Sequence, residues 1–301
     1  MSTLRLATFN LLFARGERGP GSWPERRPLI RQVIERARPD VLGLQEALPS
    51  MLADLPELLG PLAAIVGPPT GPPRWVAASS AAEGLMHAIR TRRRPGPRSE
   101  RGVSGEHLPI AYRADRLRPV ASGGFWVSAT PDHPGSMLPF APTPFLVHWA
   151  RFVALDGPEE MLVLNAHFGH APWHHAATAR VVTQKVAEWA GAGSQADAGG
   201  GPEVFLVGDF NAWPASPLVR GLTRPAPAGF IDAVSAAPER RGPKVTFHWG
   251  TGATRLGARL DHVLSRTPRR PRSAEVIDVH AGPRYPSDHH AVVVEFGPAG
   301  R

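Results

Sequence analysis

Several short stretches of the sequence end an apolar run with a carboxylate, amide or imidazole side chain. They are Thr8–Asn10, Leu44–Glu46, Asn165–His167, Gly208–Asn211, Arg259–Asp261 and Ser287–His289. Catalytic groups of α/β proteins collect at such positions, because a rigid strand ends there and a solvent-exposed loop begins. Carboxylate and amide oxygens suit a hard cation such as Mg²⁺ or Mn²⁺, and imidazoles transfer protons near neutral pH. These groups are the ones that metal-assisted hydrolysis of a phosphoester requires.

Asp209 and Asn211 stand two residues apart after the apolar run Val204–Val207. If the strand alternation continues through them, both side chains lie on one face and can address one phosphate group. The alternative is an Asx turn, in which the same residues serve only to close the chain reversal.

The elements that must position these groups are strands and helices spread over the whole chain. Strands are predicted at Leu4–Leu11, Val41–Leu44, Pro109–Tyr112, Phe145–Leu155, Met161–Asn165, Val204–Val207, Arg259–Leu264, Ala274–Val279 and Ala291–Phe296. Helices are predicted at Pro24–Ala37, Leu48–Leu59, Pro172–Trp189 and Pro217–Leu222. Since no clean domain boundary interrupts this pattern, we expect one α/β domain over residues 1–301. Residues 190–202 are rich in Gly and Ala and are predicted to be a flexible connection.

The composition narrows the chemistry further. The chain has no cysteine, which excludes a disulfide framework, a thiolate zinc site and a cysteine nucleophile. No apolar stretch is long enough for a transmembrane helix, and residues 1–6 do not begin a secretory signal. We therefore expect a cytoplasmic protein, and we expect a monomer.

The charge balance favours a polyanionic or phosphorylated partner. Lys and Arg number 34 against 26 Asp and Glu, a formal net charge of +8. Residues 61–105 form a poorly patterned basic insert, and its arginines are concentrated between 90 and 101. That arginine run either lines a groove for a polyanion or is an ordinary solvated loop.

In their order along the chain, these motifs resemble the endonuclease/exonuclease/phosphatase superfamily, which includes pancreatic-type deoxyribonuclease. The sequence GDFN at 208–211 followed by SDHH at 287–290 is the most specific pair, and the resemblance runs from Leu4 to Glu295. It is closest to a bacterial branch that has a tryptophan and an arginine pair after the first strand. In this chain those residues are Trp23, Arg26 and Arg27, and an FWLSETP-like segment follows at 125–131.

The resemblance implies an α/β fold, a four-layer α-β-β-α sandwich of two mostly antiparallel sheets with the site at one edge. It also implies a bound Mg²⁺ or Mn²⁺ ion, with Glu46 as the principal ligand and Asn10 and Asp288 beside it. The alternatives are a surface glutamate for Glu46, a turn-capping amide for Asn10 and a capped turn for Asp288.

For the catalytic groups, the resemblance implies that Asp209 and Asn211 help to activate the attacking water. His289 would be the general base or the proton donor, and Asp261 would orient it. The alternative for Asp261 is a buried structural salt bridge.

The remaining residues implied by the resemblance surround the phosphate. His167 would donate to a phosphate oxygen, and Tyr112 would contact the metal ligands or the phosphate; a core histidine and a core tyrosine are the alternatives. Arg180, Trp126 and His148 are candidate substrate-binding residues. Arg180 is equally explained by a surface ion pair, and Trp126 would form the rim of a ligand pocket. His148 would either narrow the substrate groove or have no functional role.

These expectations combine into a divalent-metal-dependent phosphoester hydrolase, in particular a nuclease-like phosphodiesterase. The same catalytic groups fit a phosphomonoesterase or phosphodiesterase acting on a small molecule or a lipid. A polyanion-binding module without catalysis is a third alternative. Separately, His170, His174 and His175 could bind zinc, although the sequence supplies no further ligand for such a site.

Overall fold

The structure is a computed structural model that describes residues 3–14, 21–71, 105–192, 202–224, 229–252 and 257–298. The arginine run at 90–101 lies outside the described residues, as do most of the insert at 61–105 and most of the connection at 190–202. None of the described helices is both long and apolar enough to cross a membrane. The expectation of one domain over residues 1–301 stays a prediction.

The described strands form two sheets. In chain order they are β1 (Leu4–Asn10), β2 (Val41–Gln45), β3 (Leu62–Ile65), β4 (Ile110–Arg113), β5 (Leu117–Trp126), β6 (Leu146–Ala154), β7 (Glu160–His167), β8 (Glu203–Asp209), β9 (Ile231–Asp232), β10 (Glu239–Arg241), β11 (Asp261–Arg266), β12 (Pro271–Ile277) and β13 (Ala291–Phe296). The first sheet has the order β10-β12-β13-β1-β2-β4-β3, and the second has the order β5-β6-β7-β8-β11-β9. Most pairs are antiparallel, whereas β1–β2, β7–β8 and β10–β12 are parallel.

The two sheets pack face to face, and alternation along the strands decides which side chains lie between them. Leu4 and Leu6 of β1 point into the apolar core between the sheets, where Phe205 and Val207 of β8 meet them. The neighbouring residues of β1, such as Phe9, point to the opposite face. Both faces of the central strands are therefore covered, which is why these strands are apolar along their length.

Helices cover the outer face of each sheet. In chain order they are α1 (Trp23–Ala37), α2 (Pro49–Leu52), α3 (Leu55–Leu59), α4 (His175–Ala192), α5 (Pro217–Leu222) and α6 (Ala233–Ala236). Residues of α1 to α3 pack on the first sheet, and residues of α4 and α5 pack on the second. The predicted four-layer α-β-β-α sandwich is confirmed.

Some elements differ from the sequence prediction. The helix expected over Leu48–Leu59 is two short helices, α2 and α3, each with a proline in its first turn. The long strand β5 is not anticipated, because Gly123 and Gly124 and an exposed middle section hide the strand pattern.

A buried polar connection joins the two sheets next to the strand ends. On β7, Asn165 Nδ2 donates to the Leu44 carbonyl at 2.8 Å, and Gln45 Nε2 donates to Asn165 Oδ1 at 2.7 Å. Thr8 Oγ1 then donates to Gln45 Oε1 at 3.2 Å. The sheets approach closely here, because a Cβ atom at Gly43 would lie 2.7 Å from Asn165 Oδ1. This contact fixes the separation of the two strand edges that carry the polar residues.

Candidate active site

The register of the strands brings the predicted polar residues to one edge of the sandwich. Asn10 ends β1 opposite Gln45 at the end of β2 in the first sheet. In the second sheet, His167 ends β7 opposite Asp209 at the end of β8, and Asp261 begins β11 opposite Asp209. The last residues of parallel strands and the first residue of an antiparallel neighbour meet at the same edge.

Asn10 links the acidic groups of the two sheets. Its Nδ2 donates to Glu46 Oε1 and to Asp209 Oδ2, both at 3.0 Å, and Asn10 is fully buried. Its Oδ1 accepts the backbone N–H of Leu12 at 2.9 Å, which fixes the orientation of the amide. Asn10 therefore reaches the two carboxylates as a donor, while its oxygen faces the backbone of Leu12.

Glu46 follows β2 directly and has a left-handed backbone conformation, with φ 60°. Its Oε2 accepts the backbone N–H of Phe13 at 3.0 Å. Enclosure of the carboxyl group raises the pKa of Glu46, His167 partly opposes this, and the nearby carboxylates of Asp288 and Glu106 add to it. Crowded carboxylates of this kind are relieved by a bound cation, which fits the role expected of Glu46 and Asp288.

Asp209 and Asn211 form an Asx turn and are also part of the cluster. Asp209 Oδ1 accepts the backbone N–H of Asn211 at 2.8 Å, and Asn211 has φ 48°. The side chain of Asn211 donates to the Phe168 carbonyl at 2.8 Å. Burial opposes ionisation of Asp209, but His289 and His167 outweigh it, so the pKa of Asp209 is lowered. The turn and the functional role are thus compatible.

His289 and Asp261 form a buried pair. Asp261 Oδ2 lies 2.8 Å from His289 Nδ1, and the other ring nitrogen, Nε2, lies 3.5 Å from Asp209 Oδ2. Burial alone would lower the pKa of His289, but the carboxylates of Asp261 and Asp209 raise it to about 10. Burial raises the pKa of Asp261, against the pull of His289. The imidazole is consequently held as a cation facing Asp209.

His167 has a partner that the sequence analysis did not identify. Its Nδ1 lies 3.1 and 3.2 Å from the two carboxylate oxygens of Glu106, and its Nε2 lies 3.7 Å from Asp209 Oδ2. Burial would lower the pKa of His167, but Glu106 and then Asp209 raise it well above the usual value. The backbone N–H of His107 donates to the Ala47 carbonyl at 2.8 Å and so fixes Glu106 beside Glu46. The only sequence signal for Glu106 is its place just before the strand predicted at Pro109–Tyr112.

Asp288 lies on the other side of the cluster, in the segment before β13. Ser287 Oγ donates to the Asn10 carbonyl at 2.6 Å, and the backbone N–H of His248 donates to the Asp288 carbonyl at 2.9 Å. Asp288 also lines a cavity of about 430 Å³ together with Arg26 and Tyr285. The half-buried carboxylate can therefore be reached from solvent.

The structure does not bring four of the predicted residues to this cluster. Tyr112 is opposite Val41, at the far end of β2, and its ring packs 5.1 Å from that of Phe152 in the core between the sheets. The expected contact of Tyr112 with metal or phosphate is corrected to a packing role. Arg180 lies on the exposed face of α4.

Trp126 and His148 are both buried, which corrects their expected roles in binding substrate. Trp126 Nε1 donates to the Thr70 carbonyl at 2.6 Å. His148 Nδ1 lies 2.7 Å from the Leu108 carbonyl, and burial lowers the pKa of His148 to about 4. Neither side chain can line an open groove.

The histidines proposed as a zinc site are not arranged as one. His174 Nε2 is 2.9 Å from the Pro139 carbonyl. His175 is buried, and burial lowers the pKa of His175. Among the described residues, the group of acidic and histidine side chains that could hold a metal ion is Asp209, Asp261 and His289, whose ligand atoms lie within 4.8 Å of one another.

The donor set of the cluster fits a hard divalent cation. Asp261 Oδ1 is buried and has no hydrogen-bond partner among the described residues, and carboxylate oxygens dominate the site. Within the group of Asp209, Asp261 and His289, however, both ring nitrogens of His289 already face carboxylates. Glu46 and Asp288 are therefore the better candidates for ligands.

A model of the Endonuclease/Exonuclease/phosphatase family matches residues 7–289. The chain belongs to this family. The matched residues include all the members of the cluster, from Asn10 to His289. Among curated proteins, a sequence comparison finds no match.

Solved structures resemble the chain over almost its whole length. A family protein from Bacteroides thetaiotaomicron is 25% identical, with a TM-score of 0.76, and the match covers 98% of this chain and 95% of that one. A mannosyl-6-phosphatase from B. thetaiotaomicron is 26% identical, with a TM-score of 0.76 and coverage of 97% and 99%. TDP2 from D. rerio, solved with a single-strand DNA product, is 15% identical, with a TM-score of 0.65 and coverage of 99% and 100%; at that identity the likeness concerns the fold.

Proposed function

We propose that this protein is a divalent-metal-dependent phosphoester hydrolase. The observation that carries the proposal is the charge arrangement around Asp209, where two imidazoles, each paired with a carboxylate, face one ionised side chain. A pair of fixed imidazolium donors next to a carboxylate suits a reaction in which charge develops on phosphate oxygens. A salt-bridge cluster with a purely structural role does not require these groups to lie at the strand ends, next to the solvent-exposed loops.

The residues of the chain divide the work as follows. Asp209, which its lowered pKa keeps ionised, accepts the proton of the attacking water, and Asn211 helps to position that water. His289 acts as a proton donor rather than as a base, because Asp261 holds it in the charged form. His167, charged by Glu106, donates to a non-bridging phosphate oxygen.

Glu46 and Asp288 would hold the metal ion, Mg²⁺ or Mn²⁺, and Asn10 would orient Glu46. When bound, such an ion neutralises phosphate charge and makes the phosphorus more open to attack. The hydrogen bond from Phe13 N–H keeps one oxygen of Glu46 directed away from the loop and into the cluster.

Two classes of substrate are compatible with this site. The net charge of +8 favours a polyanionic phosphodiester, and we propose a nuclease-like activity on this ground. The second candidate is hydrolysis of a small phosphomonoester such as a phosphorylated sugar, which the 26% identical mannosyl-6-phosphatase favours. We further propose that the protein acts as a monomer in the cytoplasm, which size-exclusion chromatography and cell fractionation can test.

The test is hydrolysis by the purified protein, with Mg²⁺ or Mn²⁺ against EDTA, on a panel of substrates. The panel contains single- and double-stranded DNA, RNA, bis-p-nitrophenyl phosphate, p-nitrophenyl phosphate and mannose 6-phosphate. We expect metal-dependent activity that Asp209→Ala abolishes and that Glu57→Ala, an exposed control on α3, leaves unchanged. Cleavage of polymers supports the nuclease, whereas activity confined to monoesters supports the second candidate. Tight metal-independent binding of nucleic acid with no hydrolysis of any substrate would instead indicate a binding module.

A further inference from the structure

Arg26 is a buried arginine of helix α1 whose guanidinium group binds backbone carbonyls. It is 3% exposed. Nε donates to the Gly21 carbonyl at 3.2 Å, Nη1 donates to Leu11 at 2.5 Å and Pro286 at 2.7 Å, and Nη2 donates to Leu12 at 2.6 Å and Phe13 at 3.1 Å. One planar side chain thus connects segments that are far apart in the sequence.

The first of these segments, residues 11–13, completes the surroundings of two site residues. The backbone N–H of Leu12 donates to Asn10 Oδ1, and the backbone N–H of Phe13 donates to Glu46 Oε2. Leu12 has φ 54°, a left-handed conformation that is unfavourable for a leucine and that needs support from its surroundings. The guanidinium group supplies that support by binding three consecutive carbonyls of the segment.

The second segment contains Asp288. Pro286, whose carbonyl accepts from Arg26, comes two residues before Asp288, and Ser287 Oγ donates back to the Asn10 carbonyl. Arg26 therefore connects residues 11–13, which hydrogen-bond to Glu46, with the segment that contains Asp288. Glu46 and Asp288 are the two carboxylates proposed as metal ligands.

Helix α1 holds Arg26 in a fixed position. The backbone N–H of Arg26 donates to the Ser22 carbonyl in the first turn, and its guanidinium carbon lies 5.5 Å from the ring centre of Trp23. Trp23 is in turn anchored by a 2.7 Å hydrogen bond from its Nε1 to Asp54 Oδ2. Lysine cannot reproduce this arrangement, since an ammonium group is a compact donor without the planar fork of a guanidinium.

From these contacts we infer that Arg26 is a positioning residue for the metal site, setting the distance between Glu46 and Asp288 without touching substrate or metal. The inference rests on the proposed function, because it assigns those two carboxylates to the ion. Loss of a group that supports metal ligands typically weakens metal binding or activity by about 10–100-fold.

The test measures binding of Mn²⁺ alone, from the electron paramagnetic resonance signal of the free ion, for wild type, Arg26→Ala, Arg26→Lys and the control Arg31→Ala. Arg31 lies on the exposed face of the same helix, ion-paired with Glu35. We expect about tenfold or greater weakening of Mn²⁺ binding for both Arg26 variants and none for the control. Millimolar methylguanidinium, entering through the cavity that Arg26 lines, should restore much of the lost affinity to Arg26→Ala.

Each outcome has a defined meaning. Wild-type Mn²⁺ affinity in a folded Arg26→Ala protein overturns the inference. So does unfolding of Arg26→Ala combined with wild-type affinity in Arg26→Lys, because Arg26 would then serve stability alone. Failure of the wild-type protein to bind Mn²⁺ at all contradicts the proposed function instead. Circular dichroism and thermal unfolding of every variant separate these cases.

Discussion

His289 Nδ1 lies 2.8 Å from Asp261 Oδ2, and both residues are buried at the edge where the two sheets meet. An ion pair enclosed in this way costs solvation on both sides, and it persists because each partner stabilises the charge of the other. The other ring nitrogen of His289, Nε2, is thereby directed at Asp209, 3.5 Å from its Oδ2, in a defined protonation state.

Replacing Asp261 with asparagine should leave His289 without a fixed protonation state. Without the negative charge of Asp261, less opposes the effect of burial, so the pKa of His289 will fall and a smaller fraction of the rings will carry the proton that His289 is proposed to donate. We expect kcat for phosphoester hydrolysis to fall about 10²-fold or more, with KM changed much less. Steady-state kinetics of Asp261→Asn measures this, with Glu239→Gln on the exposed strand β10 as the control. Unaltered kcat in a folded Asp261→Asn protein would contradict the role of the pair.

Replacing Glu106 with glutamine should move the alkaline limb of the pH–rate profile. Glu106 raises the pKa of His167, so His167 stays charged as the pH rises until that high pKa is reached. In Glu106→Gln the pKa falls, and we expect activity to be lost at a lower pH than in wild type. The pH dependence of kcat with a saturating substrate tests this. The prediction fails if the two profiles coincide.

Replacing Gly43 with alanine should disturb the separation of the sheets. The added Cβ would lie 2.7 Å from both Asn165 Oδ1 and Val207 Cγ2, closer than such atoms can approach. We expect the free energy of unfolding to fall by about 1–3 kcal/mol, measured by urea denaturation. We also expect lower activity below the unfolding midpoint, because Asn10 and Asp209 belong to different sheets and their 3.0 Å contact depends on that separation. Ser50→Ala, at an exposed position, is the surface control.

Buried neutral histidines should make the fold less stable in acid. His148 is fully buried, and its pKa of about 4 lies below the ordinary value of 6.5. Between pH 6.5 and 4 the unfolded chain binds this proton and the folded chain does not, so stability falls as the pH falls, by up to about 3 kcal/mol for one residue. His289 has the opposite effect above pH 6.5. Its pKa in the folded chain is raised to about 10, so the folded chain keeps a proton that the unfolded chain loses, and stability falls as the pH rises from 6.5 to 10.

Urea unfolding in EDTA at several pH values tests this prediction. His148→Asn keeps a donor for the Leu108 carbonyl but has no titrating ring, so its stability should depend less steeply on pH between 4 and 6.5. The exposed His133→Gln is the control and should keep the wild-type slope. Equal slopes for all three proteins would show that His148 is not a neutral buried group.

The strand ends are where sequence reasoning works best for this molecule. Asp209, Asp261 and His289 follow or begin apolar runs, and the family motif supplies their order, so their convergence can be predicted. The roles of Tyr112 and Trp126 cannot be predicted in this way. A pattern shows that a residue lies in a strand, but its distance from the site depends on which end of the partner strand it faces.

Glu106 illustrates a different gap in the sequence reasoning. It belongs to no periodic segment. Tertiary contacts place it beside Glu46, namely the bridge between Ala47 and His107 and the hydrogen bond from the Thr70 N–H to the Glu106 carbonyl. Arg26 could be recognised as part of a motif, but nothing in its spacing indicates that its partners are carbonyls at residues 11–13 and 286. Such tertiary contacts are specified by the completed fold rather than by local pattern.

The hydrogen bond from Ser287 to the Asn10 carbonyl joins residues 277 positions apart, and the neighbouring strands β1 and β13 are paired from Leu4 to Thr8 and from Val292 to Phe296. During synthesis on the ribosome, the first half of the site is made long before the segment that completes it. A nascent chain therefore has no assembled catalytic centre until His289 has left the exit tunnel. Activity in a translation reaction would appear as a late, abrupt event, and would report completion of the fold rather than the amount of polypeptide made.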